Sequence, residues 1–175
     1  MLAQLIHTPR LQLIAATPTS LQAELEEPTR LSDYLRAELP ADWPPGEYDR
    51  SACQHFFEQL QARGEAAAGW YGWYALYGNV SPSLVGCGGY FGPPDEDGRV
   101  EIGYSLSEHW RGQGFATEIV RALVGRIAGH APVKRIVAHA HPENLASRKV
   151  LQRTGFRQMH PSDQEDACLF EYQPN

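Results

Sequence analysis

Arg111-Gly112-Gln113-Gly114-Phe115-Ala116 is the stretch on which the reading of the fold turns. After it, Ala116, Ile119, Val120, Leu123, Val124 and Ile127 recur at helical spacing, and Glu118, Arg121 and Arg126 take the opposite face. An amphipathic helix therefore starts at the turn, with Gly129 and Pro132 to stop it. Before the turn, Val100, Ile102, Tyr104 and Leu106 alternate with Arg99, Glu101, Gly103 and Ser105, which is a strand with one apolar face. A strand that enters a glycine turn opening a helix directs unpaired backbone N–H groups, and the positive end of the helix dipole, at one spot. Phosphate suits that spot.

The surroundings narrow the phosphate ligand. No lysine follows the glycines, so the nucleotide-binding P-loop pattern is absent. A dinucleotide fingerprint needs a third glycine where Thr117 stands, and an early βαβ unit where this chain has strand-like segments. A nicotinamide-dependent oxidoreductase is accordingly remote. At 175 residues the chain suits one domain, residues 1–175, with a sizeable core. A net charge of −6 disfavours nucleic-acid and anionic-membrane surfaces and suits a basic or amine-bearing acceptor. Cys53, Cys87 and Cys168 are odd in number and lack paired spacing, so neither a disulfide framework nor a zinc ribbon is expected. With no membrane-length apolar run and no leader-like N-terminus, a cytoplasmic protein is expected.

Thr8 to Ile14 reads as a first strand, with Leu11 and Leu13 on one face. Thr17-Pro18 can start a helix that Pro28 ends, and Leu31, Tyr34, Leu35 and Leu39 form a second helical stripe stopped by Pro40. Trp43 to Asp49 is a stiff aromatic loop, followed by a helix from Asp49 with Cys53, Phe56, Phe57 and Leu60 inward and Gly64 at its close. Trp70–Tyr77 and Leu84–Phe91 suit strands, the second with glycines that imply a bulge or a close neighbour. Asp95-Glu96-Asp97-Gly98 turns the chain into the strand of Glu101, completing an antiparallel meander. Lys134–Ala140 follows the helix as a strand whose Ile136-Val137-Ala138 centre lacks polar alternation. Gly155–Met159 and Cys168–Tyr172 read as a closing hairpin.

Arg111, Gly114 and Ala116 fill the fixed places of the GNAT acyltransferase signature: arginine or glutamine, two spacers, glycine, a spacer, then glycine or alanine. Asn144-Leu145-Ala146-Ser147 and Val150 to Phe156 resemble the Asn-x-x-Ser and Gly-Phe elements of the same superfamily. The threonine, arginine and alternating leucines of Thr8 to Leu13 resemble the opening of its ribosomal-protein N-acetyltransferase-like branch. The resemblance implies an α/β (α+β) GNAT-like fold: a mixed, mostly antiparallel sheet of about six to seven strands, its fourth and fifth splayed apart, flanked by about four to five helices. It also implies acetyl-CoA as acyl donor. Backbone groups near Tyr104, Ser105 and Leu106 would pair with the pantetheine arm. The N–H groups of Gly112, Gln113, Gly114, Phe115, Ala116 and Thr117 would hold the pyrophosphate, Arg111 would add charge, and Asn144 would join the cofactor set.

An amine acceptor is mostly an ammonium at neutral pH, so transfer needs a base. Glu101 is the candidate, against a reading as a solvated carboxylate on the sheet face. Many GNAT proteins place a tyrosine seven residues after the asparagine to assist the departing thiolate; here that position is Leu151. Ser147 matches the serine used in the ribosomal-protein branch and is the candidate acid, or else a helix cap. By resemblance, Trp43 and Tyr48 are candidate acceptor walls, or else rings that cover the core. His139 and His141 share a strand face, the spacing of a metal pair, but no third ligand is evident; no metal is expected, and His141 can instead border the acceptor. The function expected is transfer of acetyl to a primary amine of a protein N-terminus or small molecule, by a monomer or homodimer. The alternative is an acyl-CoA sensor or partner-binding module without turnover.

Overall fold

The structure is a computed structural model that describes residues 4–174. In chain order these form β1 (Leu5–His7), β2 (Leu11–Ala15), α1 (Pro18–Glu26), α2 (Pro28–Leu35), α3 (Arg50–Arg63), β3 (Gly72–Tyr77), β4 (Ser83–Tyr90) and β5 (Arg99–Leu106). They continue as α4 (Phe115–Ile127), β6 (Arg135–Ala140), α5 (Leu145–Arg153), β7 (Arg157–Gln158) and β8 (Cys168–Tyr172). The strands make one eight-stranded sheet in the order β1-β2-β3-β4-β5-β6-β8-β7, antiparallel except for β5 beside β6. The expected mixed α/β architecture is present with more strands than expected. The additional one, β1, is a short edge strand that hairpins onto β2, too brief to carry a period-2 signal.

The local rules explain most boundaries. Thr17 caps α1 in a reciprocal box with Ser20, and the Asp49 and Asn144 carboxylate and amide oxygens cap α3 and α5. Pro28 opens α2 at its first position as well as following α1, and α2 ends at Leu35, so Leu39 lies outside it. The extra residue Val85 makes the bulge in β4, between the pairs Ala75↔Gly86 and Leu76↔Leu84.

Apolar alternation decides which face of the sheet each helix covers. On α4, Phe115, Ile119, Val120, Leu123, Val124 and Ile127 are buried, and the Tyr90 hydroxyl donates to the Leu123 carbonyl at 2.7 Å. Arg126, assigned by periodicity to the polar face, is instead half-buried, with its guanidinium 4.9 Å from the ring centroid of Trp73 and close to Trp70 and Tyr90. The opposite face carries α1 and α3, where Leu21, Cys53, Phe56 and Leu60 are buried.

One irregularity in this sheet makes a site. The β5–β6 ladder holds for three pairs, Arg99↔Arg135, Val100↔Ile136 and Glu101↔Val137, and then stops. From Ile102 onward β5 remains bonded to β4, and Ala138–Ala140 remain bonded to β8, so the two strands part at their C-terminal ends.

Candidate active site

A cleft of about 870 Å³ occupies the gap between the parted strands. Its walls include Glu101 to Leu106 of β5, His139 and Ala140 of β6, the glycine turn before α4, and α5 from Ala146 to Arg153. Strand alternation gives the cleft two sides. Tyr104 shares the parity of Val100 and Ile102 and faces the α4–α5 layer. Glu101, Gly103 and Ser105 face the other way, toward the loop before α3 and the end of β4. There Gly46 lies so close that a Cβ would sit 2.5 Å from the Ser105 Oγ, and the Phe91 ring covers Gly103.

The glycine turn forms one end of the cleft. Gly112 and Gly114 have φ of +74° and +83°, a region glycine enters without steric cost, and nothing lies within 4 Å of where a Gly112 Cβ would be. Arg111, Gly112, Gly114, Ala116 and Thr117 line the cleft. Arg111 also ties the turn to the strand by donating from Nε to the Leu106 carbonyl at 3.1 Å. The Phe115 side chain is buried against Tyr77 and Trp110, and the Gln113 amide folds back onto the His109 carbonyl at 3.0 Å. The buried Phe115 ring is thereby kept from any ligand, which leaves that residue its backbone N–H.

The opening of the chain braces this turn. Arg10 donates to the Glu118 carboxylate from its backbone N–H and its Nε, both at 2.8 Å, and its Nη2 lies 2.8 Å from the same group. The Thr8 hydroxyl donates there too. Burial alone would raise the Glu118 carboxyl, but these donors outweigh it and hold it below its usual value. Arg10 Nη1 reaches the Gln113 carbonyl at 2.9 Å, and the guanidinium rests 4.3 Å from the Phe115 ring centroid. The threonine and arginine noted at the start of the chain thus hold the first turn of α4.

On the α5 side, the Tyr104 hydroxyl lies 2.8 Å from the Ser147 Oγ and 3.1 Å from the Ser147 carbonyl oxygen. Burial pushes the Tyr104 phenol up to about 12, so it stays a neutral donor across the physiological range. The Tyr104 side chain is thus part of the site as well as its backbone, and its parity with Val100 and Ile102 is the sequence signal that its ring faces the helices. Leu151, at the expected tyrosine position, is fully buried on the inner face of α5. Asn144 lines the cleft and accepts from the Ser147 N–H at 3.0 Å, so it is a helix cap as well.

On the opposite side, Glu101 is not free: His139 Nδ1 is 2.8 Å from its Oε1, and an Arg99 Nη2 is 3.4 Å from its Oε2. His141 lines the cleft, and its Nδ1 accepts from the Glu143 N–H at 3.3 Å. No group of three or more His, Cys, Asp or Glu placed to hold a metal occurs among the described residues.

Trp43 and Tyr48 require a correction. Neither lines the cleft, because both turn toward Glu24 of α1: Trp43 Nε1 donates to its Oε1 at 2.8 Å, and the Tyr48 hydroxyl to its Oε2 at 3.0 Å. The Tyr74 hydroxyl donates to the same oxygen at 2.7 Å. The carboxylate draws the rings into the core, and Gly46 and Glu47 of the same loop border the cleft in their place. Burial raises the Glu24 carboxyl above its usual value in spite of these donors.

A family model described as an acetyltransferase (GNAT) domain matches residues 13–157. The chain belongs to the GNAT acetyltransferase family. Among curated relatives, the uncharacterized N-acetyltransferase YjdG of Bacillus subtilis (strain 168) is 27% identical over 158 residues, covering 90% of this chain and 92% of that protein. A ribosomal-protein-S5-alanine acetyltransferase from Vibrio fischeri superposes with a TM-score of 0.68 at 18% identity, over 98% of this chain and 97% of the other. RimL, a ribosomal L7/L12 alpha-N-protein acetyltransferase solved with coenzyme A, gives 0.65 at 20% identity, over 97% of each chain. At these identities the two solved structures establish the shared fold.

The acyl donor of a GNAT acetyltransferase is acetyl-CoA, and the residues of this GNAT domain fit it. The freed edge of β5 offers backbone groups to an amide-bearing arm, and the turn offers N–H groups to a pyrophosphate. Arg111, Lys149 and Arg153 bring three cations to the walls. Because Arg10 holds the turn from behind, Arg10→Ala removes charge-assisted bonds worth about 1.5–3 kcal/mol each before solvent screening. Calorimetry should then show acetyl-CoA affinity about fivefold weaker, with kcat little changed. An unchanged affinity would mean that the turn holds its own shape.

Proposed function

We propose that this protein transfers the acetyl group of acetyl-CoA to a primary amine, on a protein N-terminus or a small molecule. The observation that carries the reading is the cleft at the β5–β6 splay, with the glycine turn at one end and hydrogen-bonding groups on both sides of β5. Acetyl-CoA, when bound, supplies the activated acyl group and a thiolate leaving group. The backbone of Tyr104, Ser105 and Leu106 and the N–H groups of Gly112 to Thr117 orient it, with Arg111 and Asn144 at the border.

The protein's own part is position and proton management. Glu101, on the side of Gly46 and Phe91, takes the acceptor's proton. Ser147, hydrogen-bonded to Tyr104, donates toward the thiolate from the α5 side. Glu47 and Glu101 make the acceptor side anionic, which favours a cationic amine over a carboxylate-bearing one.

Incubating the protein with labelled acetyl-CoA and a cell extract tests the acceptor class. Label in a protein fraction supports an N-terminal amine, and label confined to small molecules refutes it. A second reading, an acyl-CoA sensor without turnover, is favoured by one observation: Glu101 is engaged by His139 and Arg99. Such a protein binds acetyl-CoA and releases no thiol with any amine.

A further inference from the structure

His139 sits on β6 at the point where the two strands part, and both of its ring nitrogens meet carboxylates. Nδ1 lies 2.8 Å from Glu101 Oε1, and Nε2 lies 2.6 Å from Asp163 Oδ1 on the loop between β7 and β8. A neutral imidazole has a single N–H, so both contacts are hydrogen bonds to ionised carboxylates at once only when the ring is an imidazolium. Arg99 completes the group: its Nη2 donates to Asp163 Oδ2 at 3.1 Å and stands 3.4 Å from Glu101 Oε2. The charged groups around the ring are Glu101 and Arg99 from β5 and Asp163 from the loop, while β8 pairs Leu169 opposite it and carries Glu171, paired with Val137, on the same face. Of these, Glu101 and His139 line the cleft, and Asp163 is 48% exposed to water.

We infer that Glu101 and His139 act as one base, a carboxylate–imidazole pair that takes up the acceptor's proton, with Asp163 setting the pH at which the pair is ready. The inference rests on the acetyl-transfer reading of the cleft. A lone carboxylate titrates at about 4 and an alkyl ammonium at about 10, a poor match for proton transfer near neutral pH. An imidazole in contact with the carboxylate closes much of that gap. The active pair is a carboxylate beside a neutral imidazole, with a net charge of −1. One N–H bond of the acceptor's ammonium breaks, its electron pair stays on nitrogen for attack, and the proton leaves the pair as carboxylate and imidazolium with no net charge. The imidazolium then returns its proton to water on the exposed Asp163 side.

The sign of the pH effect follows from the surroundings of the ring. Burial works to lower the His139 pKa, but the hydrogen bonds its ring donates to Asp163 and Glu101 outweigh it and hold the ring above its usual value. The same contact holds the Asp163 carboxyl below its usual value. The imidazolium bridge is therefore present below the raised pKa and lost as pH rises through it. Activity should rise over the same interval, because only the deprotonated pair accepts a proton.

The experiment combines an NMR titration of the His139 ring, in the protein without acetyl-CoA, with the pH profile of kcat/KM. Removing the outer charge in Asp163→Asn should lower the His139 titration by about one unit. It should move the acid limb of kcat/KM down by the same amount. His139→Gln, which keeps a hydrogen-bonding side chain but cannot titrate, should remove that limb and lower kcat/KM about tenfold or more at neutral pH. A ring titration unmoved by Asp163→Asn overturns the inference, as does a kinetic limb that stays in place while the ring shifts. Absence of any acetyl transfer by the wild type refutes the reading of the cleft and the inference with it, whereas transfer with an unmoved limb refutes the inference alone.

Discussion

Glu101→Gln should lower kcat/KM by about a hundredfold or more near neutral pH while leaving acetyl-CoA affinity within about twofold. Glutamine keeps the shape of the side chain but cannot take the acceptor's proton, and it leaves His139 with a neutral partner in place of an anion. Affinity is spared because Glu101 lies on the Gly46 and Phe91 face of β5, at the far end of the strand from the glycine turn. Ser147→Ala should fall less, since a coenzyme A thiolate is a fair leaving group and the Tyr104 hydroxyl, 2.8 Å from the Ser147 Oγ, remains as a donor. The ranking is the claim. Steady-state rates over a range of pH check it, and a Glu101→Gln variant that keeps most of its turnover at every pH would return Glu101 to the role of a carboxylate on a sheet face.

Gly114→Val should weaken acetyl-CoA binding about tenfold or more, or about 1.4 kcal/mol and upward. Gly114 is the N-cap of α4 at φ +83°, a conformation a β-branched residue adopts only with strain of about 1–3 kcal/mol. A Cβ there would lie 3.4 Å from the Arg10 Nη2, an ordinary contact, so the cost is in the backbone. Relief of that backbone strain would turn the N–H groups at the start of α4 away from their present directions. Gly125→Ala, in the same helix with open space around it, is the control and should leave affinity unchanged. Calorimetry on the pair decides, and equal affinities for Gly114→Val and wild type would detach the turn from cofactor binding.

What could be read from the chain was what short-range periodicity carries. The Val100 to Leu106 alternation, the α4 stripe and the glycine turn are local signals, and they defined β5, α4 and the glycine-turn end of the cleft. Long-range partners left no such trace. Trp43 and Tyr48 read as acceptor walls because nothing in their loop marks Glu24, in a preceding helix, as the acceptor of their hydrogen bonds. Arg126 fell on the polar arc of its helix, yet Trp70, Trp73 and Tyr90 surround its guanidinium. The His139 and His141 spacing was visible, but the partners of His139 come from β5 and from a loop beyond α5, so its pairing with Glu101 and Asp163 was not. Tyr104 is intermediate: its parity pointed the ring at the helices, and only the fold brought Ser147 beneath it.

If the splayed cleft moves acetyl from acetyl-CoA to an amine, each transfer frees one coenzyme A thiol. Thiol release from acetyl-CoA by the wild-type protein, measured over a panel of primary amines and N-terminal peptides, tests it most directly. The expected result is release that depends on the amine and that falls sharply in Glu101→Gln while acetyl-CoA still binds. Tight acetyl-CoA binding with no amine-dependent thiol release across the panel would contradict it.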